Sequence, residues 1–140
     1  MQKELIGDNL ILRLSFDFSL LVIDYCKKLE ADKKYVLARQ LLKSGTSTGA
    51  NSMEAQNPES KSDFIHKMKI AAKEADETQY WLRVCDNAKE YCDPNLQLQK
   101  LEEITKVLNK ILATARRKNP FSYLLSFLFF DRRCEMSLAH

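Results

Sequence analysis

A chain of 140 residues suits one domain with a core of its own. Three glycines and three prolines are too few for a turn-rich β fold, so helix is the default. A formal net charge of +3 permits a nucleic-acid partner without demanding one. The first residues lack a secretory leader and no stretch reaches the roughly 18 apolar residues of a membrane span, so a cytoplasmic protein is expected.

The first helix is expected from Ser15 to about Glu30. Phe16, Leu20, Ile23 and position 26/27 form its core row, widened by Phe18, Leu21, Val22, Tyr25 and Leu29. A second helix starts after Asp32 and turns Tyr35, Ala38 and Leu41/Leu42 inward. Its second half contains Gly45-Thr46-Ser47-Thr48-Gly49-Ala50-Asn51-Ser52, which has neither the preceding strand nor the Gly-Lys-Ser/Thr end of a phosphate loop. Two glycines inside a helix cost about 1 kcal/mol each relative to alanine. Close approach of another backbone or of a bulky side chain, with Phe64, Tyr80 or Trp81 as candidates, is the expected compensation. A ligand contact and a kink without function are the alternatives. The hydroxyls can bond back to carbonyls one turn earlier.

Asn57–Pro58 and Asp93–Pro94 each read as an N-cap with proline at the first helical position. The third helix carries the most regular row, Phe64, Met68, Ala71, Ala75, Thr78, Leu82 and Cys85. The fourth repeats it with Leu101, Ile104, Leu108, Ile111 and Ala115, and Pro120 ends it. Short links between long helices imply an all-α, antiparallel up-down-up-down four-helix bundle over residues 1–118. Residues 119–140 form an apolar C-terminal tail. Its run Phe121–Phe130 would span about 15 Å as a helix, too short for a bilayer. It can pack on the bundle or a neighbouring subunit, stay disordered, or touch a membrane or partner.

The ordered positions of helices two and three resemble a known family. Gln40-Leu41-Leu42, Ser44-Gly45-Thr46-Ser47, Gly49-Ala50-Asn51, Glu54-Ala55, Asp63-Phe64, Lys67, Ile70-Ala71, Lys73-Glu74-Ala75, Glu77-Thr78 and Tyr80-Trp81-Leu82 are similar to the bacterial four-helix-bundle proteins encoded in intervening sequences of 23S ribosomal RNA genes. Some members of that family carry a ribosomal-protein label. The resemblance runs from about Leu12 to Lys118, with Thr48 standing where an aliphatic residue is usual. It implies a left-handed antiparallel bundle, assembly into a homopentameric ring, no enzymatic activity and no cofactor. One related branch, the accessory protein of diversity-generating retroelements, binds nucleic acid and a reverse transcriptase. The resemblance therefore implies an RNA- or DNA-binding scaffold, with a protein–protein interaction scaffold as the alternative.

Catalytic and metal sites have little support in the sequence. A di-iron bundle needs two Glu-x-x-His pairs, and this chain has only His66 and His140. The serines cluster at 44–52, on a helix without histidine, so a nucleophile–base pair is absent from it. Cys26, Cys85, Cys92 and Cys134 lack C-x-x-C spacing and read as reduced thiols, some of them in the core. Gly45, Gly49, Asn51, Glu54, Phe64, Glu74, Glu77, Tyr80 and Trp81 are the packing or subunit-interface candidates. Lys73–Glu77 and Asp76/Arg83 are expected to share faces. Tyr80 and Trp81 are adjacent and cannot both enter one narrow core stripe, so a second contact is expected for at least one. In residues 95–118 six cations oppose two acids, whereas in 59–92 six oppose seven. Lys106, Lys110 and Arg117 are accordingly the first nucleic-acid candidates, with Arg39 and Lys43, beside Lys33 and Lys34, next in line.

Overall fold

The computed structural model describes residues 6–117. They form a four-helix bundle of α1 (Leu10–Ala31), α2 (Tyr35–Glu54), α3 (Lys61–Asn87) and α4 (Asn95–Ala115). Each helix packs on its neighbours in the cycle α1–α2–α3–α4–α1, so α1 and α3, and α2 and α4, occupy opposite corners. The tail 119–140 lies outside the described residues, as does Lys118.

Capping fixes the helix starts. α1 begins at Leu10, earlier than the expected Ser15, because Asn9 caps it by accepting from the Leu12 N–H. Ser15 is instead buried mid-helix, and its hydroxyl donates to the Ile11 carbonyl at 2.7 Å. The cap of α3 is Ser60, not Asn57: Ser60 Oγ accepts from the Asp63 N–H at 3.0 Å. Asp63 returns the bond by accepting from the Glu59 N–H at 3.0 Å, a near relative of the capping box. Pro58 precedes the helix by three positions, so it shapes the connection rather than the first turn. At α4 the N-cap is Pro94 rather than Asp93: its carbonyl takes the first helical bond from Leu98, and Asp93, one position earlier, accepts from the Asn95 N–H at 2.9 Å.

α1 ends in a Schellman motif. The N–H groups of Lys33 and Lys34 donate to the carbonyls of Glu30 and Leu29, at 2.9 and 2.8 Å. The motif requires a left-handed residue at its turn, and Lys33 occupies it with φ 62° where glycine would be unstrained.

The core rows of α3 and α4 are those expected from the sequence, save that Leu112 rather than Ile111 is the buried residue near the end of α4. The row of α1 is rotated from expectation. Ile11, Ser15, Phe18, Val22, Tyr25 and Leu29 are buried, while Phe16 and Leu20 face outward at 38% and 46% exposure. Both rows repeat at helical spacing, so periodicity could not choose between them; packing against α2 does. On α2, Ala38 and Leu41 point inward as expected, but Tyr35 and Leu42 are exposed.

The buried face of α2 carries Leu41 and otherwise small residues: Ala38, Ser44, Gly45, Thr48 and Ser52. Small residues let α1 approach closely. A Cβ built on Gly45 would lie 2.9 Å from both γ-methyls of Val22, and one on Gly49 would lie 3.4–3.5 Å from Ser15. The neighbours that explain the glycines are thus Val22 and Ser15 of α1, not Phe64, Tyr80 or Trp81. The hydroxyls form a ladder up the helix. Ser44, Thr48 and Ser52 donate to Gln40, Ser44 and Thr48 carbonyls, and the Gln56 amide donates to Ser52. This satisfies polar groups in the seam without a partner from another helix. Thr48, fully buried, takes a rung of that ladder.

The two glycines should respond differently to the same change. Gly45→Ala drives a methyl into the stiff, buried Val22 and should lower stability by about 1–2 kcal/mol, despite the gain in helix propensity. Gly49→Ala makes only ordinary contact and should be neutral or stabilising by up to about 1 kcal/mol. Urea unfolding of the two variants, with Val22→Ala as a rescue of Gly45→Ala, checks this. Equal effects at both positions would refute the Val22 explanation.

Candidate nucleic-acid interface

The cationic candidates lie on two opposite corners. Lys106 and Lys110 project from α4, and Arg117 lies just beyond its end, where its carbonyl accepts from Lys61 Nζ at 2.8 Å. Arg39 and Lys43 project from α2. Because α2 and α4 are diagonal in the bundle, the structure does not bring the two sets together.

The surroundings of the two sets differ. Lys106 holds Glu102 at 2.7 Å, and Lys100 holds Glu103 at 3.0 Å. The lysine at 106 keeps the Glu102 carboxyl below its ordinary range. A phosphate competing for Lys106 therefore displaces a carboxylate. On α2 there is none to displace: the chain from Lys33 through Met53 contains no Asp or Glu. Arg39 and Lys43 are exposed, and among the described residues neither is paired with a carboxylate. They stand one turn apart, about 6 Å along the axis. Lys33 and Lys34 sit at the start of the same helix, where cations oppose the macrodipole. Lys34 is partly compensated by lying 4.8 Å from the Tyr91 ring centroid.

The packing and interface candidates separate into three groups. Gly45, Gly49 and Phe64 are structural: the glycines admit α1 and Phe64 is 2% exposed. Asn51 is half-buried and donates to the Ser47 carbonyl. Glu54 closes α2. Glu74 lends its carbonyl to Thr78. Glu77 accepts from Trp81 Nε1 at 3.2 Å rather than pairing with Lys73, and Arg83 pairs with Asp86 rather than Asp76. Tyr80 is 61% exposed and meets Trp81 edge-to-face at 5.0 Å, while Trp81 is half-buried and packs against the core.

Three thiols lie at the end of the bundle where α1 turns into α2, with Cys26 Sγ donating to the Ala38 carbonyl at 3.3 Å. Cys26 and Cys85 are buried and Cys92 is half-buried. Burial, reinforced by Glu30, pushes the Cys26 thiol up to about 11, and burial also raises Cys85. Tyr25 donates its hydroxyl to the Cys92 carbonyl at 2.6 Å. Cys26 and Cys85 accordingly stay protonated and inert at neutral pH. Among the described residues no cluster of three His, Cys, Asp or Glu side chains could hold a metal ion. No described helix is long and apolar enough to cross a membrane.

Four long helices with an interior of packed side chains define a small helical-bundle protein, and its surface carries the distinctive chemistry. The chain matches the model of the 23S rRNA-intervening sequence protein family over residues 7–114, and it belongs to that family. It is similar in structure to a protein of unknown function from the S23 ribosomal protein family of Bacteroides thetaiotaomicron VPI-5482. The two are 35% identical, with a TM-score of 0.70 over 74% of this chain and 98% of that one. No curated protein matches the chain.

Both cationic sets are visible in the sequence, and charge counting puts α4 first because it does not register pairing. The acid-free stretch of 21 residues from Lys33 through Met53 is the sequence feature that distinguishes α2. Cysteine reactivity checks the packing of α1 beneath the start of α2. At pH 8, well below the raised value of about 11, Cys26 should resist iodoacetamide in the folded protein and react once urea unfolds it. Mass mapping showing rapid native labelling of Cys26 would contradict its burial.

Proposed function

We propose that the protein is a non-enzymatic scaffold that binds the phosphate backbone of RNA or DNA through the exposed face of α2. The observation that carries this reading is the run from Lys33 through Met53, which holds Lys33, Lys34, Arg39 and Lys43 and no Asp or Glu, with Arg39 and Lys43 exposed. Lys33 adds to it. A lysine in the left-handed turn of a Schellman motif is conformationally costly, and a charge requirement at that position accounts for its presence. The absence of catalysis is supported by the serine cluster: its buried hydroxyls are committed to backbone carbonyls and are not poised as nucleophiles.

The bundle in this reading is antiparallel throughout. Support comes from α1–α2 neighbours, where Ser15 meets Gly49, Val22 meets Gly45, and Cys26 Sγ meets the Ala38 carbonyl. Several copies joined in a ring, five by the family resemblance, would repeat the α2 surface, and weak phosphate contacts then add through effective concentration.

A protein–protein scaffold is the second reading. It is favoured by the exposed apolar side chains Phe16 and Leu20 on α1 and Leu42 and Met53 on α2, together with Tyr80 on α3. These could equally join copies of the chain.

Fluorescence anisotropy with labelled RNA and DNA at low salt tests the first reading. Binding should weaken steeply with salt. Arg39→Glu with Lys43→Glu should abolish it, whereas Lys106→Glu with Lys110→Glu should have a lesser effect. Lys33→Gly should stabilise the fold by about 0.5–1 kcal/mol while reducing affinity. No binding at low salt would leave the protein scaffold. Light scattering tests assembly: a ring of five predicts a mass near five times 16.2 kDa, and a clean monomer at micromolar concentration would remove the ring.

A further inference from the structure

We infer that the α2 surface selects unpaired nucleic acid over duplex, with Tyr35 as a stacking platform for a base beside the phosphate contacts of Arg39 and Lys43. The inference rests on the phosphate-binding reading above and deepens it.

Tyr35 begins α2 and is 56% exposed. It lies four residues before Arg39, which lies four before Lys43, so the three occupy neighbouring positions on one side of the helix, each about 6 Å from the next. Among the described residues the other tyrosines outside the core are engaged: half-buried Tyr91 carries the Lys34 ammonium over its ring, and Tyr80 packs edge-to-face on Trp81. Among the described residues Tyr35 has no ring or hydrogen-bond partner. An aromatic ring left in water one turn from an arginine that no carboxylate pairs is the arrangement that single-strand binders use, with phosphates held by cations and a base laid on the ring. Duplex cannot use such a ring, because its base faces are already stacked on one another. A convex surface with one aromatic and two cations can therefore gain from a base only when that base is unpaired. The α4 row of Lys106 and Lys110 has no aromatic residue between its cations, so it offers duplex and single strand the same contact.

The test uses the full chain, with oligouridine and a mixed-sequence duplex of equal length as probes in low-salt anisotropy titrations. The parent should bind the single strand several-fold more tightly than the duplex. Tyr35→Ala should cost the single strand about tenfold in affinity, spare the duplex, and leave the salt slope unchanged. Tyr35→Phe, which keeps the ring, should bind as the parent does. Tyr35→Trp should show emission quenched on adding oligouridine, measured against the Trp81 background. Equal binding of both probes, with Tyr35→Ala indifferent and Arg39→Glu still disruptive, would overturn the stacking inference and leave the phosphate reading standing. Failure of both probes to bind the parent would overturn both.

Discussion

The contact between Gly45 and Val22 sets the geometry of this bundle. Where a Cβ on α2 would come within 2.9 Å of two methyl groups, the spacing of α1 and α2 is fixed by the absence of a side chain. Close packing of this kind replaces the volume that large residues provide elsewhere. It also selects which face of α1 turns inward. Val22 and Ser15 fit against the glycines, and the row Phe18–Val22–Tyr25–Leu29 follows. Phe16 and Leu20, equally apolar and equally periodic, are thereby left on the surface.

Buried polarity in the seam is handled within α2 itself. Ser44, Thr48, Ser52 and Gln56 each bond one turn back, so the helix presents a small-residue face whose polar atoms are already satisfied. Small hydroxyl residues combine low volume with a local partner, which apolar small residues do only in part. The same helix carries its cations on the outside. α2 consequently packs closely against α1 on one face and carries cations on the other, with no acid before Glu54 at its end, a division of labour between its two faces. α4 is built differently: its inner face is large and aliphatic, and its outer lysines include two that are spent on neighbouring glutamates.

At the chain's bends, side chains and backbone divide the work unevenly. Ser60 and Asp63 exchange bonds around the start of α3, and the Asp63 carboxyl is held below its ordinary range, first by the Glu59 N–H and then by Lys67. A carboxyl with a depressed value contributes stability above its unfolded value, and that contribution is lost as pH falls through the folded one. Lys33, by contrast, accepts an unfavourable backbone conformation to close α1.

Much of this was legible in the sequence. The number of helices, the inner rows of α3 and α4, the helical nature of the Gly45–Gly49 stretch and the family all follow from period, punctuation and ordered motif positions. Those features are local, and 3.6-residue periodicity reports them directly. The sequence also marked the residues that became candidates, because charge and aromatic type are visible without coordinates. Tertiary structure decided the rest. It chose between two apolar rows on α1, moved the cap of α3 from Asn57 to Ser60, and named Val22 and Ser15 as the partners of the glycines. It also separated Arg39 and Lys43 from Lys106 and Lys110 on opposite corners and paired Lys106 with Glu102. Each of these depends on which helix lies beside which, and at what distance, a relation that no single helix encodes in its own repeat.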